Sequence, residues 1–191
     1  MGNGWLLCIM RIISGLYRGQ QIESPPGDHV RPTGDRVREN IFNILDNKFG
    51  FDNKNAADFF AGSGALGIEA LSRGADHCSF IDSDVRSVKT IESNAKKLKI
   101  EPKQFSVIKA EALKFRSSEL ANRIDFVFAD PPYDWKKFDQ FYTLLASQEI
   151  FNGSVLMYES EKNYKLGFDE FLFDERSYGI TKISFFKVTK P

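Results

Sequence analysis

Cysteine and histidine are scarce. The 191 residues include only Cys8, Cys78, His29 and His77, at no spacing that a C-x-x-C pair or a metal ligand set would need. This argues against structural zinc and against a disulfide framework, so both cysteines read as inert and no metal is expected. Long apolar runs are missing too, and nothing approaches the roughly 20 residues that span a bilayer. The stretch Trp5-Leu6-Leu7-Cys8-Ile9-Met10 is too short for a secretory leader and no basic residue precedes it. Met1-Gly2 lacks the Ser or Thr that myristoylation requires. A cytoplasmic protein is therefore expected. Net charge is also absent, since 26 Lys and Arg balance 26 Asp and Glu, so overall charge gives no sign of a nucleic-acid partner. Hydrophobic residues make up 42% and charged residues 27%, the composition of one ordinary globular domain without repeats or low-complexity segments.

What is present is unevenly placed. Arg11, Arg18, Arg31, Arg36 and Arg38 fall near the start of the chain, with no lysine before Lys48. A guanidinium fork binds phosphate bidentately and stacks on bases, which a lysine does not. The alternative is a solvated face salt-bridged to Glu23, Asp28, Asp35 and Glu39. Residues 10–24 alternate around Gly15 and Gly19 and predict a short β-hairpin arm, followed by a Pro/Gly loop. A helix is predicted over 35–48, with Asp35 as its N-cap. Strands near 55–60, 77–82, 104–109, 124–129 and 153–158 alternate with helices near 64–73, 85–98, 111–117 and 136–149. That alternation predicts an α/β fold with a parallel sheet covered on both faces. Two further strands flanking Gly179 predict an antiparallel hairpin closing the sheet edge.

Asp130-Pro131-Pro132-Tyr133 ends the apolar run at 124–129 with an acid, two prolines and an aromatic ring. This is the equipment for methylating a planar amine, whose lone pair is delocalised into its ring and must be turned out of plane. The Asp130 carboxylate and the Pro131 carbonyl can accept its two N–H bonds, and Tyr133 can stack on the base. Proline suits that carbonyl position because it fixes φ and brings no competing N–H.

The segment from Asp58 to Gly67 places a glycine-rich turn between a strand and a helix, where backbone can approach a ligand closely. Asp82, ending the next strand, can accept from both hydroxyls of a ribose. Gly62-x-Gly64-x-x-Gly67 also satisfies a dinucleotide fingerprint, which makes NAD the rival ligand. The chain lacks the length for a dehydrogenase's second half, and Asp58 suits the methionine amino group of S-adenosylmethionine (SAM) better than a pyrophosphate. Glu111-Ala112, after the third strand of the alternating series, can contact the adenine edge; a helix-start acid favoured by the dipole is the other reading of Glu111. Ligands of open α/β sheets sit at strand carboxyl ends where the strand order reverses, so donor and acceptor meet if the strands ending at Phe60 and Ala129 are neighbours.

On Met10-Arg11-Ile12-Ile13-Ser14-Gly15, Arg18-Gly19, Arg31-Pro32-Thr33, Asp35-Arg36-Val37-Arg38-Glu39, the Asp58 to Leu71 stretch and Asp130 to Tyr133, the chain resembles the RsmD-like family of bacterial 16S rRNA guanine-N2 methyltransferases. The resemblance runs from Met10 to about Lys187 and implies a class I SAM-dependent methyltransferase fold. It implies a seven-stranded, mostly parallel sheet with an antiparallel C-terminal hairpin, and a small N-terminal arm and helix. It also implies transfer of one methyl to a guanine N2 of small-subunit rRNA. Asp58, Phe60, Ala61, Gly62, Ser63, Gly64, Asp82, Ser83, Glu111 and Ala112 are then expected at the cofactor. Asp130, Pro131, Pro132 and Tyr133 are expected to act on the base, with Arg11, Arg18, Arg31, Thr33, Arg36 and Arg38 on the target side. Asp82 stands where Glu is more frequent, which keeps the chemistry, and Glu111 is at a variable position. The expected organisation is a single methyltransferase domain, with residues 1–9 an extension, 10–50 the target-side arm and helix, and 51–191 the catalytic core; a monomer is expected. Other amine targets, namely adenine N6, cytosine N4 and protein glutamine, use the same four-residue motif, though the acid at 130 tilts toward guanine. A catalytically silent assembly factor is the remaining alternative.

Overall fold

The computed structural model describes residues 9–26 and 34–190. Arg31, Thr33, His29 and Cys8 lie outside the described residues. Strands β1 (Ile9–Arg11) and β2 (Gln21–Glu23) pair antiparallel as the expected arm. Helix α1 (Asp35–Phe49) follows, then β3 (Asn55–Phe59), α2 (Ala65–Ser72), β4 (His77–Asp82), α3 (Val85–Leu98) and β5 (Phe105–Lys109). After an irregular stretch come β6 (Phe126–Ala129), α4 (Phe138–Ala146), β7 (Val155–Glu161), β8 (Leu172–Tyr178) and β9 (Thr181–Lys187). The main sheet runs β5-β4-β3-β6-β7-β9-β8. The pairs from β5 to β7 are parallel, and β9 pairs antiparallel with both β7 and β8.

Alternation along the central strands explains why both faces are covered. Ala56, Phe126, Phe128 and Met157 join one core with Ile41, Phe42 and Leu45 of α1 and the inner faces of α2 and α3. Their neighbours Ala57, Phe59, Val127, Ala129 and Leu156 join a second core with Phe138, Phe141, Tyr142 and Leu145 of α4. Tilted and edge-on aromatic pairs account for the phenylalanine richness, as with Phe42 against Phe128 at 5.4 Å and Phe59 against Phe141 at 5.1 Å. Among the described residues no helix is long and apolar enough to cross a membrane.

Three local expectations are corrected. No α-helix occupies 111–117; two short 3-10 turns, Ala112–Lys114 and Ser117–Glu119, stand there. Phe115 and Arg116 between them take extended backbone, which lets Phe115 and Leu120 reach the second core. Helix α4 is shorter than 136–149. Gly34, not Asp35, caps α1; Asp35 is the first helical residue, and its carboxylate is committed to Arg11 at 2.6 Å and Arg38 at 2.9 Å.

Candidate active site

The chain leaves β3 toward β4 and β5 on one side, while β6 and β7 lie on the other, so the strand order reverses between β3 and β6. These two strands are register neighbours, with Phe59 beside Ala129. The glycine turn and Asp130 therefore leave the sheet from adjacent strand ends.

The turn is built from left-handed backbone. Phe60 has φ +57°, followed by Gly62 at +54° and Gly64 at +79°. For a residue with a side chain this conformation costs roughly 1–2 kcal/mol. Phe60 is held there by edge-on packing against Trp135, ring centroids 4.8 Å apart, so the turn touches the segment that follows Tyr133. The third glycine serves packing: a Cβ on Gly67 would lie 2.3 Å from the Phe80 ring and 2.5 Å from Cys78 Sγ, so only glycine lets α2 lie this close to β4.

Two acids brace the turn from below. Asp82 accepts from Gly62 N–H at 2.9 Å and from Asp84 N–H at 2.8 Å, one bond per carboxylate oxygen. Each oxygen keeps acceptor capacity, so the carboxylate fits the two hydroxyl donors of a ribose diol. Asp58 is only 1% exposed and accepts from Gly67 N–H at 2.9 Å. Burial drives its carboxyl well above the usual range; the Gly67 bond opposes this and the Asp82 charge adds to it. Asp58 is thus first a brace for the start of α2. Ser83 and Glu111 are exposed, Ala112 is buried, and Glu111 is ion-paired to Lys114 at 2.9 Å.

On the acceptor side, Pro131 is buried, while Asp130 is half-buried. Trp135 N–H donates to the Pro132 carbonyl at 2.8 Å and closes the turn. Tyr133 is 39% exposed and its hydroxyl bonds Thr181 Oγ1 at 2.9 Å. A shallow pocket opens here between Pro131, Tyr133, Trp135, Tyr158, Glu159 and Tyr164. Burial, then the charges of Tyr164, Asp130 and Asp139, push the Tyr158 phenol far up, so it stays a neutral donor. Tyr158, Glu159 and Thr181 escaped sequence reasoning; β7 beside β6 carries Tyr158 and Glu159 to the same edge as Asp130, and β9 beside β7 brings Thr181 opposite Glu161.

The arginines divide. Arg18 and Arg36 are exposed, and Arg11 is exposed but paired with Asp35. Arg38, expected on the target side, is 2% exposed, donates to the Arg11 carbonyl at 2.7 Å and to Asp35 at 2.9 Å, and ties α1 to the arm.

A strand order that reverses between β3 and β6, with a glycine-rich turn braced by Asp82 and the Asp130 turn leaving adjacent strand ends, is the construction of a class I SAM-dependent methyltransferase. Residues 10–187 match the family model described as conserved hypothetical protein 95. YlbH of Bacillus subtilis, named for rRNA methylation, is 34% identical over 184 residues, 93% of this chain and 98% of its own. The ribosomal RNA small subunit methyltransferase D of Haemophilus influenzae is 36% identical over 159 residues, 82% of this chain and 81% of its own. The solved Escherichia coli methyltransferase yhhF superposes with a TM-score of 0.78 at 30% identity, covering 96% of this chain and 99% of that one. The chain belongs to this family, the RsmD-like methyltransferases.

Proposed function

We propose that the protein transfers one methyl group from SAM to the exocyclic N2 of a guanine in 16S rRNA. The observation that carries this reading is the pairing of Phe59 with Ala129, which brings the glycine turn and Asp130-Pro131-Pro132-Tyr133 to one edge. The relatives named for small-subunit rRNA methylation supply the substrate class. SAM, when bound, supplies an electrophilic methyl. Asp82 would accept from its ribose hydroxyls, and the turn from Phe60 to Gly64 would help to hold it. The amino group of SAM would favour the ionised form of Asp58 if it bound beside that carboxyl.

On the substrate side, Asp130 and the Pro131 carbonyl accept the two N–H bonds of the amine and aim its lone pair, while Tyr133 stacks on the base. Asp130 orients first; the amine becomes acidic only as its nitrogen turns cationic, and the carboxylate then takes that proton. Guanine is favoured because its N2 amine stands beside an N1–H donor, where adenine and cytosine present a ring acceptor beside theirs. Glu159, 6% exposed and lining the same pocket, is a second carboxylate suited to that extra donor.

The test has two arms. Mass-spectrometric mapping of 16S rRNA from a deletion strain and its parent should show one lost N2-methylguanine; loss of a methyladenine or methylcytosine instead would reassign the base. Asp130→Ala should lower single-turnover methylation by about 100-fold or more while SAM affinity changes little. Near-parental turnover would make the motif structural.

A further inference from the structure

We infer that Asn94 is a positioning residue that joins the cofactor turn to the N-terminal arm, so that SAM and RNA bind cooperatively. Asn94 stands on α3 and is 1% exposed. Its Nδ2 donates to the Ser63 carbonyl and to the Glu23 carbonyl, each at 2.9 Å, and its Oδ1 accepts from Glu23 N–H at 2.9 Å. The orientation of the amide follows from these partners: reversed, it would set oxygen against the Ser63 carbonyl and N–H against N–H at Glu23. One side chain therefore pairs with Glu23 as a strand would and, with the same nitrogen, holds the middle of the turn.

The Ser63 carbonyl needs such a hold. It lies between Gly62 and Gly64, both left-handed, where neighbouring side chains impose nothing on the peptide plane. Fixing that plane fixes the turn, and the only side-chain donor to the Ser63 carbonyl among the described residues' hydrogen bonds is Asn94. The arm end is held along the same helix. Arg86 donates to the Pro26 carbonyl at 3.1 Å and Lys97 pairs with Glu23 at 3.4 Å. At its other end the arm is gripped by α2, where Glu69 accepts from Ile13 N–H at 2.8 Å and Ser14 N–H at 3.1 Å. The arm thus rides on the two helices that begin at the glycine turn and just past Asp82, and its Arg11 pairs with Asp35, the neighbour of exposed Arg36. A ligand that orders the turn stiffens the arm through Asn94, and a ligand that orders the arm lowers the cost of ordering the turn. Thermodynamic linkage makes the effect reciprocal.

The RNA half of this inference rests on the proposed function; the arm half does not, and the two are tested separately. Amide exchange of the unmodified protein with and without SAM should show the Glu23 N–H slowed by about fivefold or more on SAM binding. An unchanged Glu23 rate, with SAM bound, overturns the link. Calorimetric SAM affinity should then be measured with and without an unmodified 16S rRNA transcript. The parent is expected to bind SAM at least about fivefold more tightly with transcript. Asn94→Asp keeps the size and the acceptor for Glu23 N–H but cannot donate to Ser63; it should weaken SAM about tenfold and bring the ratio with and without transcript to one, at unchanged transcript affinity. An equal loss in both conditions, with the ratio intact, would make Asn94 a simple brace and overturn the proposal. A parent that binds transcript yet shows no ratio also overturns it. Failure of the parent to bind transcript at all overturns the RNA reading and leaves the exchange result to decide the link.

Discussion

Tyr133 is exposed, and the proposed function gives its ring the stacking role, while its hydroxyl is hydrogen-bonded to Thr181 at the start of β9. Stacking on a base is worth about 1–3 kcal/mol, whereas a neutral, solvent-accessible hydrogen bond contributes about 0.5–1.5 kcal/mol. Tyr133→Phe should therefore cost a few-fold in kcat/KM, Thr181→Val should reproduce that loss, and Tyr133→Ala should exceed both. Equal losses for the Phe and Ala variants would mean the hydroxyl, not the ring, matters. The acid, the prolines and the ring were legible in the sequence because each has a distinctive chemistry next to a strand end. The Thr181 anchor was not, because it depends on which strand tip β9 brings alongside. Arg38 shows the same limit. In sequence it is one of five similar arginines; only the return of β1 beside α1 supplies the Arg11 carbonyl that turns it inward.

The arm and α2 form one unit, and its chemistry is unusual for a helix of eight residues. Glu69, 1% exposed, is neutralised by Arg73 at 2.9 Å and by two arm N–H groups, and Ser72 Oγ accepts from Tyr17 N–H at 2.9 Å while donating to the Ser14 carbonyl. Gly15 makes this docking possible, since a Cβ there would fall 1.7 Å from the Ser72 carbonyl oxygen and φ is +79°. Gly15→Ala should lift the arm and leave Glu69 with fewer partners, a loss of about 3 kcal/mol in urea unfolding at unchanged m-value. A change under about 0.5 kcal/mol would show that the arm is dispensable to the core. The Arg-Ile-Ile-Ser-Gly motif was visible in the sequence, but its role as a docking strip was not, because Glu69 and Ser72 read as ordinary polar helix residues. Strand and helix alternation was legible throughout the core, since apolar periodicity reports burial. It failed at 111–117, where Ala112, Phe115 and Leu120 have helix-like spacing, yet Ala112 reaches the core from a 3-10 turn and Phe115 and Leu120 from extended backbone.

At the scale of the whole molecule, the buried Asp58 makes stability depend on pH. Its folded-state pKa is raised by burial above the unfolded value of about 3.9, so the folded state holds the proton more tightly. The parent should lose stability as pH rises from about 4 toward the raised folded value, because over that window the unfolded chain binds fewer protons. Asp58→Asn removes this titration and keeps an acceptor for Gly67 N–H. In SAM-free urea unfolding at pH 4.5, 6 and 7.5, the variant should gain on the parent as pH rises; a constant difference would mean that Asp58 does not titrate above its ordinary range. Charge also decides how a molecule of zero net charge holds RNA. Attraction has to be local, and near the start of the chain Arg18 and Arg36 are exposed and stand outside the pairs that Arg11 and Arg38 make with Asp35. Each phosphate neutralised releases condensed counterion, which sets a slope of log affinity against log salt of about 0.7–0.9 per contact. Arg36→Ala should flatten that slope by about this amount for a 16S rRNA transcript, with SAM affinity and stability unchanged. Arg38→Ala should do the opposite: the slope stays parental, while stability falls by about 2 kcal/mol as the Arg11 carbonyl and Asp35 lose their charged donor. If Arg38→Ala flattens the slope in a fully stable protein, the inward arginine swings out to meet RNA and the division drawn between these two residues is wrong.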